Sequence, residues 1–460
     1  MPLDFRSLRS FQIGLGLLVL SQAIILWHDF TAFYQIDGAV PILSRNGLLF
    51  GTLIFGAIPL FAVLLMLGFM QRLSTLLCLI SIILVQDANP EILQGGDVLL
   101  RLLLFWSLFL PQSWIWCPNV RLKMDSLSLP LTTGWAAWAI TLQICFVYWF
   151  AAFLKSDPLW TQNGNALSYA LNIEHFTTPL GLYLRQFPSF LRPITLGTPW
   201  FELIGPCLLF IPFYRDAYRL AAVGLFLCFH LIGMESLLRI GLFPWVCAVA
   251  WLVFLPGSFW DWLKIKDTGF LKVKPTKRAA GARQNVGKKW LIWDYGCSCL
   301  VVVSLLDVLA WNVASISGRN SLLWMQKHDV YGNFVRLDQR WNMYAPRPRA
   351  DHGWLVIPAD LADGTQVDLF TGIPVSWEKP KDIGKYFGDD RWRRYLSNLF
   401  NDQNPQDLQE YADYLARNWN QSHGDRQKIQ TVTIVFMRQE TQPDLTVTAP
   451  EKDVLYFHAY

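Results

Sequence analysis

The sequence predicts an all-α polytopic membrane helix bundle, with about nine transmembrane helices, followed by a small C-terminal α+β extramembrane domain. Three observations predict this fold class. Hydrophobic residues make up 53% of the 460 residues and charged residues only 16%, whereas ordinary soluble domains are about 25% charged. Apolar runs follow one another from Phe11 to Phe259. After Ser315 the chain becomes polar and charged, with short alternating stretches.

The apolar runs are the candidate membrane spans, because a straight transmembrane helix needs about 20 mostly apolar residues. Several runs are shorter, and these are expected to tilt or to extend into their flanks. In the first run, the close spacing of Gly14 and Gly16 predicts helix packing rather than cofactor binding. The runs are Phe11–Trp27, Leu48–Phe69, Leu73–Val85, Val98–Leu110, Gly134–Leu154, Trp200–Phe213, Leu220–Met234, Ile240–Leu255 and Trp290–Val313.

The distribution of basic residues predicts the orientation of the spans. With the N-terminus in the cytoplasm, the inner segments carry most of the Lys and Arg residues, as the positive-inside rule requires. This divides the chain into a bundle over 1–256, a basic cytoplasmic loop over 257–289, a last span over 290–314 and a non-cytoplasmic domain over 315–460. In a bacterial inner membrane that domain is periplasmic or extracellular. The inner basic residues are Arg6, Arg9, Arg72, Arg121, Lys123, Arg215, Arg219 and the cluster from Lys264 to Lys289.

The C-terminal domain is predicted to combine strands with an amphipathic helix. Apolar stretches flank Asp363-Gly364, which is a hairpin signal, and Thr431–Met437 alternates as a strand does. The run Gln406–Trp419 places its apolar residues on one helical face. All eight Cys lie outside this domain, and the spacing of Cys297 and Cys299 on one helix predicts that they do not pair. The net charge of +4 gives no indication of a nucleic-acid partner, and no metal-type Cys/His spacing is present.

Ionisable residues within the apolar part are the candidate functional groups, since their burial in a membrane is costly. Asp97 and Arg101 are four residues apart and can form an ion pair, either as a link between helices or as the polar wall of a cavity. Lys155 ends the fifth run: it is either a lysine that snorkels to the interface or a partly buried base. His230 is either hydrogen-bonded structure or a site residue. Asp307 should face the bundle interior or the outer interface.

Several stretches together resemble the horizontally transferred transmembrane domain (HTTM) family, which includes the vitamin K-dependent γ-glutamyl carboxylases. Each stretch alone is a weak signal, and their order along nearly the whole chain carries the resemblance. The stretches are Arg9–Gly16, Phe33-Tyr34 with Gly38–Pro41, Gly96–Trp106, Lys155-x-Asp157-x-x-Trp160, His230 with Ile240–Trp245, Arg340–Pro346 and Asp351–Trp354.

The resemblance implies a site and a chemistry. Lys155 would be the base that deprotonates a reduced quinone of the vitamin K or menaquinol type, with oxygen and carbon dioxide as co-substrates and no metal. The residues that would line or support the site are Asp157, Trp160, Asp97, Arg101 and His230. Where the carboxylases carry a His-Asn-Asn-His cluster, this chain has Gln94-Gly95-Gly96-Asp97.

Two functions therefore stay open. One is a quinol-coupled carboxylase or epoxidase that acts on a peptide or small substrate at the outer membrane face. The alternative is a non-enzymatic membrane factor for the maturation or export of a secreted peptide or protein. A transporter is a third interpretation, although the sequence shows no inverted repeat or paired discontinuous helices.

Overall fold

The computed structural model describes residues 3–34, 47–110, 131–263 and 288–460. Several residues named in the sequence analysis lie outside these ranges: Gly38–Pro41, Arg121, Lys123 and most of the basic loop. The apolar helices with their bounds are α1 (Phe5–His28), α2 (Gly47–Leu67), α3 (Gln71–Ala88), α4 (Gly95–Ser107), α5 (Leu131–Leu154), α6 (Pro188–Ile204), α7 (Arg215–Leu227), α8 (Phe243–Leu252) and α9 (Lys288–Ser317).

The helical bundle confirms the prediction of a polytopic membrane protein. Five helices within the described ranges are long and apolar enough to cross a membrane, at Phe5–His28, Gln71–Ala88, Gly134–Leu154, Arg215–Leu237 and Asp294–Ser317. Two further apolar helices, Phe55–Leu67 and Phe243–Leu252, are shorter. The predicted run Trp200–Phe213 falls on the end of α6 and the 3₁₀ helix Gly205–Phe210.

The two glycines of the first run bring α1 close to its neighbours, as predicted. A Cβ atom at Gly14 would lie only 2.7 Å from a methyl group of Val249 on α8, and a Cβ at Gly16 would collide with Met66 on α2. Small residues of this kind let membrane helices approach closely and gain dispersion contacts. Gly14 and Gly16 are therefore packing residues.

The C-terminal part contains one five-stranded antiparallel sheet. Its strands are β1 (Asp351–Val356), β2 (Pro358–Leu361), β3 (Gln366–Asp368), β4 (Ile429–Glu440) and β5 (Glu451–Ala459). The central strand β4 pairs with β1 and β2 along one edge and with β5 along the other. Strands β2 and β3 form the predicted hairpin, in which Gly364 takes a φ of +84° that favours glycine.

Four helices complete this region, besides the short helix Ile383–Tyr386. Helices α10 (Arg319–His328) and α11 (Val330–Val335) follow α9, while α12 (Asp390–Asp402) and α13 (Pro405–Ser422) lie between β3 and β4. Helix α13 is the predicted amphipathic helix, because it buries Leu408, Tyr411 and Ala412 against the sheet core. The Phe400 ring of α12 stacks on Phe436 of β4 with 4.2 Å between centroids. Seven cysteines lie in the described ranges, all as free thiols.

Buried polar contacts join the C-terminal part to one end of the bundle. The Arg391 guanidinium of α12 donates to both carboxylate oxygens of Asp97 on α4, at 2.6 and 2.8 Å. It also donates to the carbonyl of Ile92, and Gln94 Nε2 donates to the carbonyl of Asp390 at 3.1 Å. At the opposite end of the bundle, the Ser7 hydroxyl donates to the carbonyl of Leu255 at 2.6 Å.

Candidate functional site

A cavity of about 1080 Å³ lies between the bundle and the C-terminal part. Its walls come from α4, α5, α6 and the residues after α7, and from the segment 336–351 that precedes and begins the sheet. Most of the lining is apolar, as is usual for sites that bind small molecules. Its polar lining residues include Lys155, Glu202, His230 and His175.

Lys155 forms a buried ion pair in this cavity. It follows the last turn of α5, and its Nζ lies 2.7 and 2.8 Å from the two carboxylate oxygens of Glu202 on α6. Both side chains are less than 10% exposed. The indole ring of Trp160 lies 5.4 Å from the same Nζ, which is within cation–π range. Lys155 is thus enclosed and paired, and it does not extend to water.

His230 belongs to a second polar group on the cavity wall. The chain continues from α7 as a π-helix over Cys228–Met234, and π-helical turns are frequent at functional sites. His230 Nε2 lies 2.8 Å from the Tyr148 hydroxyl, and that hydroxyl accepts a hydrogen bond from Trp251 Nε1 at 2.7 Å. The hydrogen bonds that link His230, Tyr148 and Trp251 therefore hold the imidazole in one orientation.

Trp160 and Asp157 are the other predicted residues of the lysine motif, and only Trp160 lines the cavity. Trp160 lines the cavity, and its Nε1 donates to the carbonyl of Tyr344 at 3.0 Å, which ties the motif to the segment before the sheet. Asp157 is the N-cap of the short helix Pro158–Thr161 and accepts from the backbone N–H of Leu159 at 2.9 Å. Asp157 therefore shapes the turn after Lys155 without lining the cavity.

Asp97 and Arg101 lie close together on α4, but within the described part of the chain neither is the other's ion-pair partner. The carboxylate of Asp97 binds Arg391 and accepts from Gln22 Nε2 at 2.9 Å. Arg101 donates to Gln86 at 2.7 Å and forms an ion pair with Asp338 at 3.2 Å. The predicted pair is therefore replaced by two pairs to the C-terminal part, because each side chain finds a partner there that is distant in sequence.

Two site residues were missed by the sequence argument. Glu202 carries a signal that could have found it, since it is the single acidic residue in the run Trp200–Phe213, and a buried carboxylate in a span needs a cation. His175 carries no such signal, because it lies in the mixed segment after Lys155. It packs against the rings of Phe387 and Phe400.

Burial among these aromatic rings shifts the pKa of His175. Desolvation, together with the nearby His352 and Arg393, lowers the pKa of His175 to about 3. Burial likewise lowers the pKa of His352 to about 4. Both imidazoles are therefore neutral at physiological pH. They fill the interface between the bundle and the sheet as uncharged rings.

Within the described ranges, one group of His and Asp side chains lies close enough together to bind a metal ion. His28, Asp29 and Asp389 come within 4.8 Å of one another. Asp389 is already the N-cap of α12, where it accepts from the backbone N–H groups of Arg391 and Trp392. This group lies away from the cavity lining, so it contributes nothing to the site described above.

Fold and site together define a polytopic membrane protein with a buried acid–base pair in a composite cavity. The family model described as the HTTM domain matches residues 8–262, which is more than half of the chain. The chain therefore belongs to the HTTM domain family, which makes it a membrane protein related to the vitamin K-dependent carboxylases. Comparison with curated proteins and with solved structures gives no match.

Proposed function

We propose that this protein is a membrane enzyme of the carboxylase-related type, in which Lys155 and Glu202 exchange a proton with a substrate in the cavity. The observation that carries the proposal is the buried Lys155–Glu202 pair on the wall of an apolar cavity. A paired lysine and carboxylate is expensive to bury for structure alone, since an apolar pair of similar volume is often as stable or more so.

The pair can hold its proton in two ways. In the ionic form Lys155 is an ammonium group and Glu202 a carboxylate. Transfer of one proton between them gives a neutral amine and a carboxylic acid, so the pair can exist in an ionic and in an uncharged form. A neutral Lys155 amine within the cavity has the chemistry of a general base, while Glu202 retains the displaced proton.

A reduced quinone of the vitamin K or menaquinol type fits the cavity in size and polarity. The volume lies slightly above the usual range of about 300–1,000 Å³ for small-molecule sites, and an apolar wall suits a fused aromatic ring. When bound, such a quinol supplies an ionisable hydroxyl group and reducing equivalents for chemistry with oxygen. Lys155 would hold the hydroxyl group, Trp160 would flank it, and the His230 imidazole would lie on the cavity wall. Oxygen and carbon dioxide are the proposed co-substrates, and a peptide or small molecule at the outer face is the proposed acceptor.

We also propose the nine-span arrangement with the N-terminus in the cytoplasm of a bacterial inner membrane. Its support is the alternation of charge along the chain and the contacts at the two ends of the bundle. Ser7 and Leu255 meet at one end, whereas Asp97 meets the C-terminal part at the other. In this arrangement Lys155 opens toward the non-cytoplasmic side.

The experiment compares three variants of the full chain in nanodiscs: Lys155→Met, Glu202→Gln and the double variant Lys155→Met/Glu202→Leu. The probe is a reduced naphthoquinone, whose oxidation under oxygen is followed together with the fixation of isotope-labelled carbon dioxide. The double variant removes both charges, so it should stay folded where a single variant leaves an unpaired buried charge. Turnover should be lost in all Lys155 variants. A folded double variant with unchanged turnover would refute the proposal.

A second candidate, a non-enzymatic factor for maturation or export of a secreted peptide or protein, is favoured by one observation. Gln94 and Asp97 stand where the carboxylases carry histidines. In this protein both bind the C-terminal part: Gln94 donates to the carbonyl of Asp390, and Asp97 forms an ion pair with Arg391. If this function is correct, the folded Lys155→Met/Glu202→Leu variant keeps full maturation of the partner. Variants at Arg391 would then lose maturation of the partner.

A further inference from the structure

The chain after the last long helix turns back along that helix. Helix α9 ends at Ser317, and Gly318 has a φ of +109°, which lets the chain reverse. Helix α10 then packs Leu322 and Met325 against Trp311 and Ala314 of α9. The two helices therefore run as a tight hairpin.

The hairpin reaches far down α9. The Tyr331 hydroxyl lies 2.6 Å from the Ser304 hydroxyl. Ser304 is separated from the end of α9 at Ser317 by roughly 20 Å along the helix axis, at 1.5 Å per residue. It lies near the middle of the apolar stretch Asp294–Ser317. Helix α11 consequently lies beside the apolar part of the membrane helix.

The chain then passes through the bundle before it reaches the sheet. Leu337 and Trp341 are buried in the bundle core, and Asp338 pairs with Arg101 of α4. Gln339 accepts from Gln143 Nε2 at 2.8 Å, and Gln143 lies in the middle of α5. The segment from Arg319 to Trp341 thus enters and leaves at the same end of the bundle.

The outer face of this hairpin is apolar and uncovered. Phe334 is 86% exposed, Val330 80% and Trp324 61%. Leu306 and Val313 are likewise exposed on α9, a helix apolar enough to cross the membrane. Lys327 and His328, at the end of α10 just before the turn, are also exposed, so the outer face carries two basic side chains beside its apolar ones.

Asp329 satisfies the backbone at the turn of the hairpin, and the carboxyl group of Asp307 on α9 lies beside it. Asp329 accepts from Trp311 Nε1 at 2.6 Å and from the backbone N–H of Gly332 at 2.8 Å. Non-helical backbone is tolerated at membrane depth where protein covers it and its polar groups are bonded. The turn between α10 and α11 meets that condition, because Asp329 caps α11 and is itself hydrogen-bonded to α9.

We propose that Arg319–Val335 is a re-entrant helical pair embedded in the outer leaflet of the bilayer, with Val330 and Phe334 in contact with lipid acyl chains. Its occupant is the lipid bilayer, because Tyr331 contacts Ser304 near the middle of α9, which puts the exposed Val330 and Phe334 beside the apolar part of a helix that can cross the membrane. The pair forms part of the cavity wall through Leu322, Gln326 and Asn333. This inference is independent of any catalytic activity.

The test measures modification of single introduced cysteines by a charged, membrane-impermeant maleimide. The test variants are Val330→Cys and Phe334→Cys, and the controls are Val454→Cys and Phe457→Cys. Both control residues are 62% exposed on the edge strand β5, so all four positions tolerate a smaller side chain. The parent protein gives the background of its own cysteines. Purified full-length protein in phosphatidylcholine–phosphatidylglycerol nanodiscs is compared with the same protein in native membranes and after denaturation.

We expect Val330→Cys and Phe334→Cys to react at least about tenfold more slowly than the controls in nanodiscs, because the reagent does not enter the acyl region. All four should react equally after denaturation. Rates equal to those of the controls in nanodiscs would overturn the proposal. Slow reaction in native membranes with fast reaction in nanodiscs would also overturn it, since a partner protein would then be the cover.

Discussion

Removal of the Arg391 guanidinium should weaken the attachment of the C-terminal part to the bundle. Arg391 is buried at 5% side-chain exposure and Asp97 at 4%. Burial alone lowers the pKa of Arg391, but the adjacent Asp97 carboxylate outweighs it and the net pKa is raised. The guanidinium is therefore charged at every accessible pH. Its loss leaves Asp97 as a buried charge with only neutral hydrogen-bond donors.

The expected magnitude follows from that unpaired charge. Breaking a buried ion pair by removing one partner typically costs about 3–5 kcal/mol. Arg391→Met also removes the hydrogen bond to the Ile92 carbonyl, so the upper half of that range applies. In the double variant Asp97→Leu/Arg391→Met neither charge of this pair remains, and apolar replacement of a buried ion pair is often neutral. The hydrogen bonds of these two side chains to Ile92 and Gln22 are lost, so the net loss should be no more than about 1–2 kcal/mol and the two substitutions should couple strongly.

The assay is limited proteolysis between the bundle and the sheet, together with thermal unfolding of the purified protein in detergent. The matched control is Lys385→Met, which removes a pair with Asp382 whose side chains are 82% and 45% exposed. Exposed pairs contribute about 0–1 kcal/mol. The reasoning would be refuted if Arg391→Met behaved like Lys385→Met, or if the losses at Asp97 and Arg391 were additive.

Two further predictions concern the same interface and the packing of α4. Since the pKa of His175 is lowered from 6.5 to about 3, the unfolded chain binds more protons below pH 6.5 and stability falls as the pH drops. Between pH 7 and pH 5 this residue should cost about 2 kcal/mol, and thermal unfolding of His175→Phe should lack that part of the pH dependence. A Cβ at Gly96 would lie 2.9 Å from the backbone N of Phe243, whereas one at Gly95 meets only ordinary contacts at 3.4 Å. Gly96→Ala should therefore destabilise by about 1–3 kcal/mol and Gly95→Ala by less, and equal unfolding temperatures for the two variants would contradict this.

Periodicity and turn chemistry were enough to predict the local elements. The apolar runs fall on helices, Asp363-Gly364 forms a hairpin turn, and the residues of Gln406–Trp419 share a buried face. These features depend on residues that are neighbours in sequence. The same local reasoning explains why Gly14 and Gly16 could be recognised as packing residues before their neighbours were known.

Long-range pairing could not be predicted from the same information. Asp97 was matched with Arg101 because four residues place them on one helical face, whereas its partner, Arg391, lies far away in the chain. Lys155 was identified through its motif, but its spacing gives no indication of Glu202. A buried charge shows that a partner is needed, and the sequence does not say which of many distant ions supplies it. The division into domains at residue 315 stays a prediction, and residues 337 and 341 lie in the bundle core.

The burial of Leu337 and Trp341 changes how the two proposed functions can be separated. Deletion after Ser315 would remove these two side chains from the bundle core, together with the partners of Arg101 and Asp97. Loss of function after such a deletion would therefore follow from either function, because the bundle itself would be damaged. Point variants avoid this difficulty. The Lys155–Glu202 pair lies in the cavity and the Asp97–Arg391 pair at the attachment, so neutral replacement of each pair perturbs one feature and leaves the other in place.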